Sequence, residues 1–393
     1  MTITDPRFFK RFDSPNGLDN FEYWSSLVRV PLKTGGTPRS ILLMRPDSIG
    51  DFVIFSRHLE AYRNMFPRAK MDLLGVPEVC ALAEATGQFE ETIAWDRTKY
   101  EERDTYWRET LARLAETPYD LIIYPCYSRE ANADEMAAVI PANERWAVRG
   151  DDCNLDRKTL RYNERFYSRI VEISLDSEHE SERNRAILSA FSGYSDILNR
   201  NTLSLFTKED IAIAERLLEG LSPPYVVMVP GAQKSYRCWP WERFAEIMDS
   251  ILGRTQSSIL LGGSSGEISL VNQLRAVCRA PERVRVLAGR IGIRAFAAVL
   301  SRSAVLIGNE SGPAHIAGAM GIPAWVVVGG GHFGRFLPDP AAPATRVITC
   351  RRSCFGCNWR CMEAEPLCIT EATFPVDSLI MIINSLHTKR EVV

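Results

Sequence analysis

Long apolar runs are missing from this chain. No stretch of its 393 residues approaches the roughly 20 consecutive apolar residues that a membrane-spanning helix needs. A basic excess is missing too: 47 Lys and Arg stand against 49 Asp and Glu, a formal net charge of −2. Nucleic-acid binders usually show a positive imbalance, so no nucleic-acid partner is expected. The opening Met1-Thr2-Ile3-Thr4-Asp5-Pro6 lacks the apolar core of a secretory signal, from which a cytoplasmic location is expected. No internal repeat or low-complexity tract stands out. Cysteine is sparse except in one window. Five of the ten fall within residues 350–368, where an even scatter would put fewer than one. In a cytosolic chain such a cluster points to metal more often than to disulfides.

What is present suits an ordinary globular protein, with 46% hydrophobic and 24% charged residues. At this length two domains of about 150–200 residues each are expected. Residues 1–38 are polar with interleaved aromatics (Phe8, Phe9, Phe12, Phe21, Tyr23, Trp24) and read as an appended arm or small subdomain. From residue 39 short apolar strands alternate with helical patterns. The strands fall at 40–45, 71–75, 91–95, 120–125 and 144–148, the helices at 51–65, 105–116 and 130–139. Within 51–65, Phe52, Phe55, Leu59, Tyr62 and Met65 recur every three or four residues. A second set has strands at 225–229, 258–261, 284–287, 304–307 and 324–328, with helices at 241–252, 267–278, 294–301 and 313–320. Residues 150–200 are charged with weaker periodicity, which places the linkage between about 185 and 224. The expected layout is a first domain over 39–200, a second over 201–375 and a closing amphipathic helix within 376–393. Strands alternating with helices imply an α/β protein of two doubly wound parallel sheets. Their ligands bind outside the carboxyl ends of the strands, here expected to be a cleft between the domains.

Four loops after strands carry residues that a plain connection does not need. The first, Arg45-Pro46-Asp47-Ser48-Ile49-Gly50-Asp51, sets a carboxylate directly after a glycine where a strand hands over to a helix. Asp51 suits a helix cap, a nucleotide site or a catalytic base. The dinucleotide fingerprint wants three spaced glycines here, and only Gly50 is present. The second loop, Pro230 to Pro240, offers Gly231 and Ala232 for close backbone approach. It also offers the cations Lys234 and Arg237, before a helix whose first turn holds Pro240. The third runs Gly262-Gly263-Ser264-Ser265-Gly266-Glu267. The fourth, Asn309-Glu310-Ser311-Gly312-Pro313-Ala314-His315, enters a helix with proline near its start. The N–H groups and positive dipole end of a helix start suit a diphosphate. Plain capping by Ser311 or Gly312 ahead of Pro313 is the alternative.

Taken together, "SIGD", "PGAQKSYRCWPWERFAE" and "NESGPAHIAGAMGIPAWVVVGG", in this order and spacing between about residues 39 and 330, resemble glycosyltransferase family 9, the ADP-heptose:lipopolysaccharide heptosyltransferases. The resemblance implies the GT-B architecture of two Rossmann-like domains and inverting transfer without a catalytic metal or other cofactor. The aspartate of the family's S-x-G-D loop, a general base on the acceptor hydroxyl, matches Asp51. A sugar hydroxyl must lose its proton as it attacks C1 of the donor, and a nearby helix N-terminus favours the ionised carboxylate. The family's lysine two residues before Trp-Pro falls on Arg237, with Lys234 the other candidate for the diphosphate. Glu310 stands where the family has aspartate. Ser311, Gly312 and Pro313 would offer backbone to the diphosphate. For His315, orienting that loop and a buried structural role both stay open. Glu267 is either a ligand of donor sugar hydroxyls or a surface glutamate at a helix start.

Cys350-x3-Cys354-x2-Cys357-x3-Cys361-x6-Cys368 follows an expected strand at 346–349. Four of the five suit a tetrahedral thiolate site for structural zinc or iron; reduced structural thiols and redox chemistry are the alternatives. The segment is similar to that of the autotransporter heptosyltransferases, which implies a structural iron and assembly of subunits into rings, hence a homo-oligomer.

The reading that results is transfer of a heptose, or a related sugar, from ADP-heptose to a lipopolysaccharide-core acceptor or to a protein hydroxyl. The first acceptor implies peripheral contact at the inner face of the inner membrane, for which Arg7, Phe8, Phe9, Lys10 and Arg11 offer a basic aromatic surface. Plain packing of those aromatics is the alternative. The arm and the cysteine cluster favour the second acceptor. Other nucleotide sugars stay open as donors, because no base-reading motif is legible. A nucleotide-binding oxidoreductase and a metal-stapled scaffold without activity are the competing classes.

Overall fold

The structure is a computed structural model that describes residues 36–96, 106–116, 118–174, 178–193 and 204–390. Phe8 to Trp24 and the basic segment Arg7–Arg11 lie outside the described residues. Two compact units divide the rest. The first takes the residues up to Gly193 except Glu178–Glu180; the second takes Glu178–Glu180 and everything from Ser204 onward.

The first unit is a six-stranded parallel sheet of β1 (Ser40–Arg45), β2 (Lys70–Gly75), β3 (Thr92–Ala94), β4 (Tyr119–Tyr124), β5 (Ala142–Val148) and β6 (Arg169–Val171), in the order β3-β2-β1-β4-β5-β6. β1 pairs with β2 in the register Ser40↔Lys70 and with β4 in the register Ile41↔Leu121. Ile41, Leu42, Leu43 and Met44 are all buried, as a strand covered by helices on both faces requires. The second unit repeats the arrangement with β7 (Tyr225–Val229), β8 (Ser258–Leu261), β9 (Val284–Val286), β10 (Val305–Asn309), β11 (Ala324–Val327) and β12 (Thr345–Ile348). Its order, β12-β11-β10-β7-β8-β9, is the same doubly wound pattern read from the other edge. In each unit the strand order reverses between the first strand and the fourth. That is the switch point outside which ligands of such sheets bind.

The structure departs from the sequence expectations at several places. The helix read over 51–65 is two helices, Ile49–Ser56 and Leu59–Met65. The Ser56 hydroxyl donates to the Val53 carbonyl at 2.8 Å, a bond that competes with the helical ladder just before the break. Residues 150–200 hold real elements: a helix Arg157–Asn163 capped by the Asp156 carboxylate, strand β6 and a helix Glu180–Ser192. Helices at Pro77–Thr86 and Lys208–Leu218 also stand where none was read. The linkage is more involved than one connection after 185. The Glu180 amide donates to the Arg335 carbonyl at 2.7 Å and its carboxylate takes the Arg335 guanidinium at 3.2 Å, so the start of the 180–192 helix belongs to the second unit.

The closing helix, Val376–Arg390, buries Leu379, Ile380 and Ile383 in the core of the second unit, beside Trp239, Phe244 and Trp325. Among the described residues no helix is long and apolar enough to cross a membrane.

One buried group in the first unit links its stability to pH. His58, at the break between the two helices, is 5% exposed. Burial, then the Arg57 and Arg45 guanidinium groups, lowers its imidazole from 6.5 to about 4. The unfolded chain therefore binds this proton more readily than the folded one between those values. The stabilisation is fully present above about pH 6.5 and is lost as pH falls toward 4, on the order of 3 kcal/mol. Urea unfolding at pH 7 and pH 4.5 should show a smaller pH-dependent loss for His58→Leu than for the wild type. Identical losses would discount His58 as the group responsible.

Candidate functional site

β1 ends in Arg45, a charge at the end of a buried strand. Its guanidinium has no exposure and needs acceptors on every side. It pairs with both oxygens of Asp47 at 2.5 and 3.2 Å and donates to the carbonyls of Asp51 and Pro125 and to Asn184 Oδ1, each at 3.4 Å. The Phe55 ring closes the site from below, 4.1 Å away. Both switch-point strands are thus tied to the loop that follows β1. Asp51 is the third residue of the Ile49–Ser56 helix, half-buried, and Ser48 donates its hydroxyl to Asp51 Oδ2. Ser48 is the N-cap residue, yet its side chain bonds none of the helix N–H groups; it serves the carboxylate instead.

In the second unit the loops after β7, β8 and β10 interlock. Asn309, fully buried, accepts from the Trp239 amide at 2.9 Å and donates to the Pro230 carbonyl at 2.7 Å. Glu267 accepts from the amide and hydroxyl of Ser264 at 2.6 and 2.8 Å, closing a capping box. The same carboxylate lies on Gly231, where a Cβ would come within 1.5 Å of Oε1. Its work in this structure is therefore to tie two loops, a role neither of its sequence readings contained. Ser311 is the N-cap of the Gly312–Ala319 helix, with Pro313 in the first turn. His315 is buried with its ring 6.3 Å from Phe336, and Glu310 is buried as well. Lys234 is exposed and opens a short 3-10 turn, Ser235–Arg237; the half-buried Ala232 accepts from the Cys238 thiol at 4.0 Å. Arg237 lies 4.8 Å over the Trp359 ring, and its Nε is buried without a hydrogen-bond partner. Pro240 is the N-cap of the Trp241–Arg254 helix rather than part of its first turn: its ψ of 133° is not helical, while its carbonyl accepts from the Arg243 amide at 3.1 Å.

The cysteine segment folds beneath the loop after β11. Cys354, Cys357, Cys361 and Cys368 line one cavity with Gly330, Gly331 and Trp359; Cys350 does not. Desolvation, then the thiols of Cys357, Cys368 and Cys354, pushes the Cys361 thiol up. The Gly330 amide donates to Cys368 Sγ at 3.3 Å. No disulfide joins any of the ten cysteines. Among the described residues no three His, Cys, Asp or Glu side chains stand ready to hold a metal ion as they are placed.

Three organising residues escape a reading by motif. Arg45 is signalled only as a charge closing an apolar strand, Asn309 only as the neighbour of Glu310. Trp359 carries no signal at all beyond its place inside the cysteine cluster.

Two doubly wound parallel-sheet units, each with polar loops at its switch point, define a protein of the GT-B fold. The chain belongs to glycosyltransferase family 9 (heptosyltransferase), whose family model matches residues 152–354, and it is a glycosyltransferase. The match spans the loops of the second unit and does not reach Asp51. Lipopolysaccharide heptosyltransferase 3 of Escherichia coli is 25% identical over 248 residues, 55% of this chain and 71% of that protein. The glycosyl transferase family 9 structure from Veillonella parvula superposes with a TM-score of 0.68 at 17% identity, covering 89% of this chain and 97% of that one. The E. coli heptosyltransferase WaaC with ADP-2-deoxy-2-fluoro heptose gives 0.60 at 20%, covering 88% and 99%.

The contact between Gly231 and Glu267 is open to a double-mutant cycle. Gly231→Ala should displace the glutamate and cost about 1 kcal/mol, the worth of a lost capping interaction, in urea unfolding. In a Glu267→Ala background the same change should cost next to nothing. Additive effects would show that the two loops are not joined there.

Proposed function

We propose that this glycosyltransferase moves a heptose from ADP-heptose to a sugar hydroxyl of a lipopolysaccharide core, with inversion at C1. One observation carries the reading. Three loops far apart in sequence interlock at one switch point through Asn309 and Glu267, and there they gather Lys234, Arg237 and the start of a helix. Such a place suits a nucleoside diphosphate leaving group, whose negative charge grows in the transition state. The acceptor oxygen bonds to C1 as the C1–O bond to the diphosphate breaks, and ADP departs with that electron pair. The proton of the acceptor hydroxyl passes to Asp51, whose carboxylate is oriented by the Ser48 hydroxyl in the first turn of its helix. The lipopolysaccharide acceptor follows the names of the relatives, and such an acceptor implies work at the inner face of the inner membrane.

Calorimetric titration with ADP-heptose and with UDP-, GDP- and CMP-sugars tests the donor. Asp51→Asn should keep donor binding and lower turnover on lipopolysaccharide-core acceptor by roughly 10²–10⁴-fold, the range for loss of a general base. Unchanged turnover would remove Asp51 from the chemistry; failure to bind any nucleotide sugar would overturn the function. Transfer to a protein hydroxyl but not to core sugar would replace the acceptor alone.

The thiols support a companion reading: Cys354, Cys357, Cys361 and Cys368 hold a structural zinc or iron, and Cys350 is the spare. Four cysteines on one cavity supply the donor set of a closed thiolate site, and the Gly330 amide directed at Cys368 Sγ is an outer hydrogen bond of the kind that orients a ligating sulfur. The metal would cross-link the segment and take no part in transfer. Metal analysis of protein expressed with zinc or iron should find about one ion per chain, lost in Cys357→Ser and retained in Cys350→Ser. A metal-free wild type from both cultures would sink this reading.

A further inference from the structure

The turn between Cys357 and Cys361 reaches well outside its own cavity. Asn358 and Trp359 both have left-handed backbones, with φ of 49° and 60°. Residues with bulky side chains keep that conformation only where their surroundings impose it. Here the surroundings are specific. The Asn358 amide donates to the Gly331 carbonyl at 3.1 Å, and the Gly356 amide to the Gly330 carbonyl at 2.8 Å. The Trp359 indole N–H donates to His332 Nδ1 at 3.4 Å, which leaves the imidazole proton on Nε2, facing Asn358 Oδ1 at 2.5 Å. The ring lies flat on glycine: a Cβ at Gly329 or Gly331 would come within 2.5 or 2.4 Å of it. Its other neighbours belong to the loop after β7. Tyr236 sits 5.3 Å from the ring, and the Arg237 guanidinium lies 4.8 Å over it. Arg237 has no ion pair among the described contacts, so the aromatic face is what fixes its direction.

We propose that Trp359 is a positioning residue for Arg237, so that the cysteine-rich turn sets the geometry of the loop Pro230–Pro240. The functional consequence rests on that loop holding the donor diphosphate, as proposed above; the positioning itself does not. A cation over an indole face keeps its charge and its outward N–H groups available, whereas a carboxylate partner would neutralise it. The turn thus holds the arginine in place and leaves its charge for an anionic ligand.

Hydrogen exchange on the ligand-free protein tests the positioning, and calorimetry with ADP tests its consequence. The amides of Arg237 and Cys238, bonded to the Lys234 and Ser235 carbonyls, report on the loop; the Cys350 amide, bonded to the Cys368 carbonyl, reports on the cysteine segment. Trp359→Ala and Trp359→Leu should speed exchange at 237 and 238 about tenfold or more and leave 350 unchanged, while Trp359→Phe restores most of the protection. For ADP, Trp359→Ala should raise Kd roughly three- to thirty-fold, the span of a cation–π contact, and add nothing in an Arg237→Ala background. Unchanged exchange at 237 and 238 in the leucine variant, which fills the space without a ring face, overturns the proposal. So do additive effects of the two substitutions on Kd. A wild type that does not bind ADP overturns the donor assignment, and the exchange result still decides the positioning.

Discussion

A guanidinium cut off from solvent at the end of β1 is the constraint on which the first unit is arranged. A buried charge must be matched in place, or it costs several kcal/mol. Arg45 finds its match in Asp47, in two loop carbonyls and in Asn184, which fixes the path of the chain from Pro46 to Asp51 before any ligand is present. The effects spread outward. The Cys126 thiol donates to Asp47 and is pushed well up, chiefly by burial, and His58 is kept neutral partly by the same guanidinium. The carboxylate proposed to take the acceptor proton is therefore carried on a loop anchored by a buried charge.

The second unit reaches the same end by different means. Among the described residues no buried cation organises its switch point. An asparagine side chain bonds across two loops, and a glutamate seated on a glycine joins a third. This leaves the loop cations uncommitted to protein carboxylates, as binding of a polyanionic ligand requires. The site proposed for a leaving diphosphate and the site proposed for a proton acceptor place opposite demands on local charge, and the two units anchor their loops by different means.

Much of this was legible in the sequence because parallel strands buried on both faces leave continuous apolar runs. β1 was read at its full length, as were β7 and β8. β6 was missed because it is three residues long and opens on Arg169, whose guanidinium stacks on Trp146. The 51–65 helix read as continuous because its apolar period survives the break: Leu59 and Tyr62 remain buried on both counts. The loops rich in small residues and charges stood out by motif. Arg45, Asn309 and Trp359 did not, since what they do depends on partners 70 or more residues away for Asn309 and on glycines of another loop for Trp359. Glu267 shows the limit from the other side: its type and place left a ligand contact and a surface glutamate at a helix start both open, and neither announced its bonds to Ser264 or its approach to Gly231.

The short stretch Glu178–Glu180 has a consequence for the continuity of the chain. It belongs with Arg335 and Phe336 of the second unit, although the same helix carries on as part of the first. The polypeptide therefore passes from one unit to the other and back before leaving for good, and no single cut separates them. A fragment beginning at Ser204 would lose the carboxylate at Arg335 and the imidazole at the Phe336 carbonyl, while a fragment ending at Gly193 would carry both with nothing to bind. In the language of inheritance rather than of folding, the two halves cannot be exchanged by one crossover between relatives without trading this three-residue tenon along with its mortise.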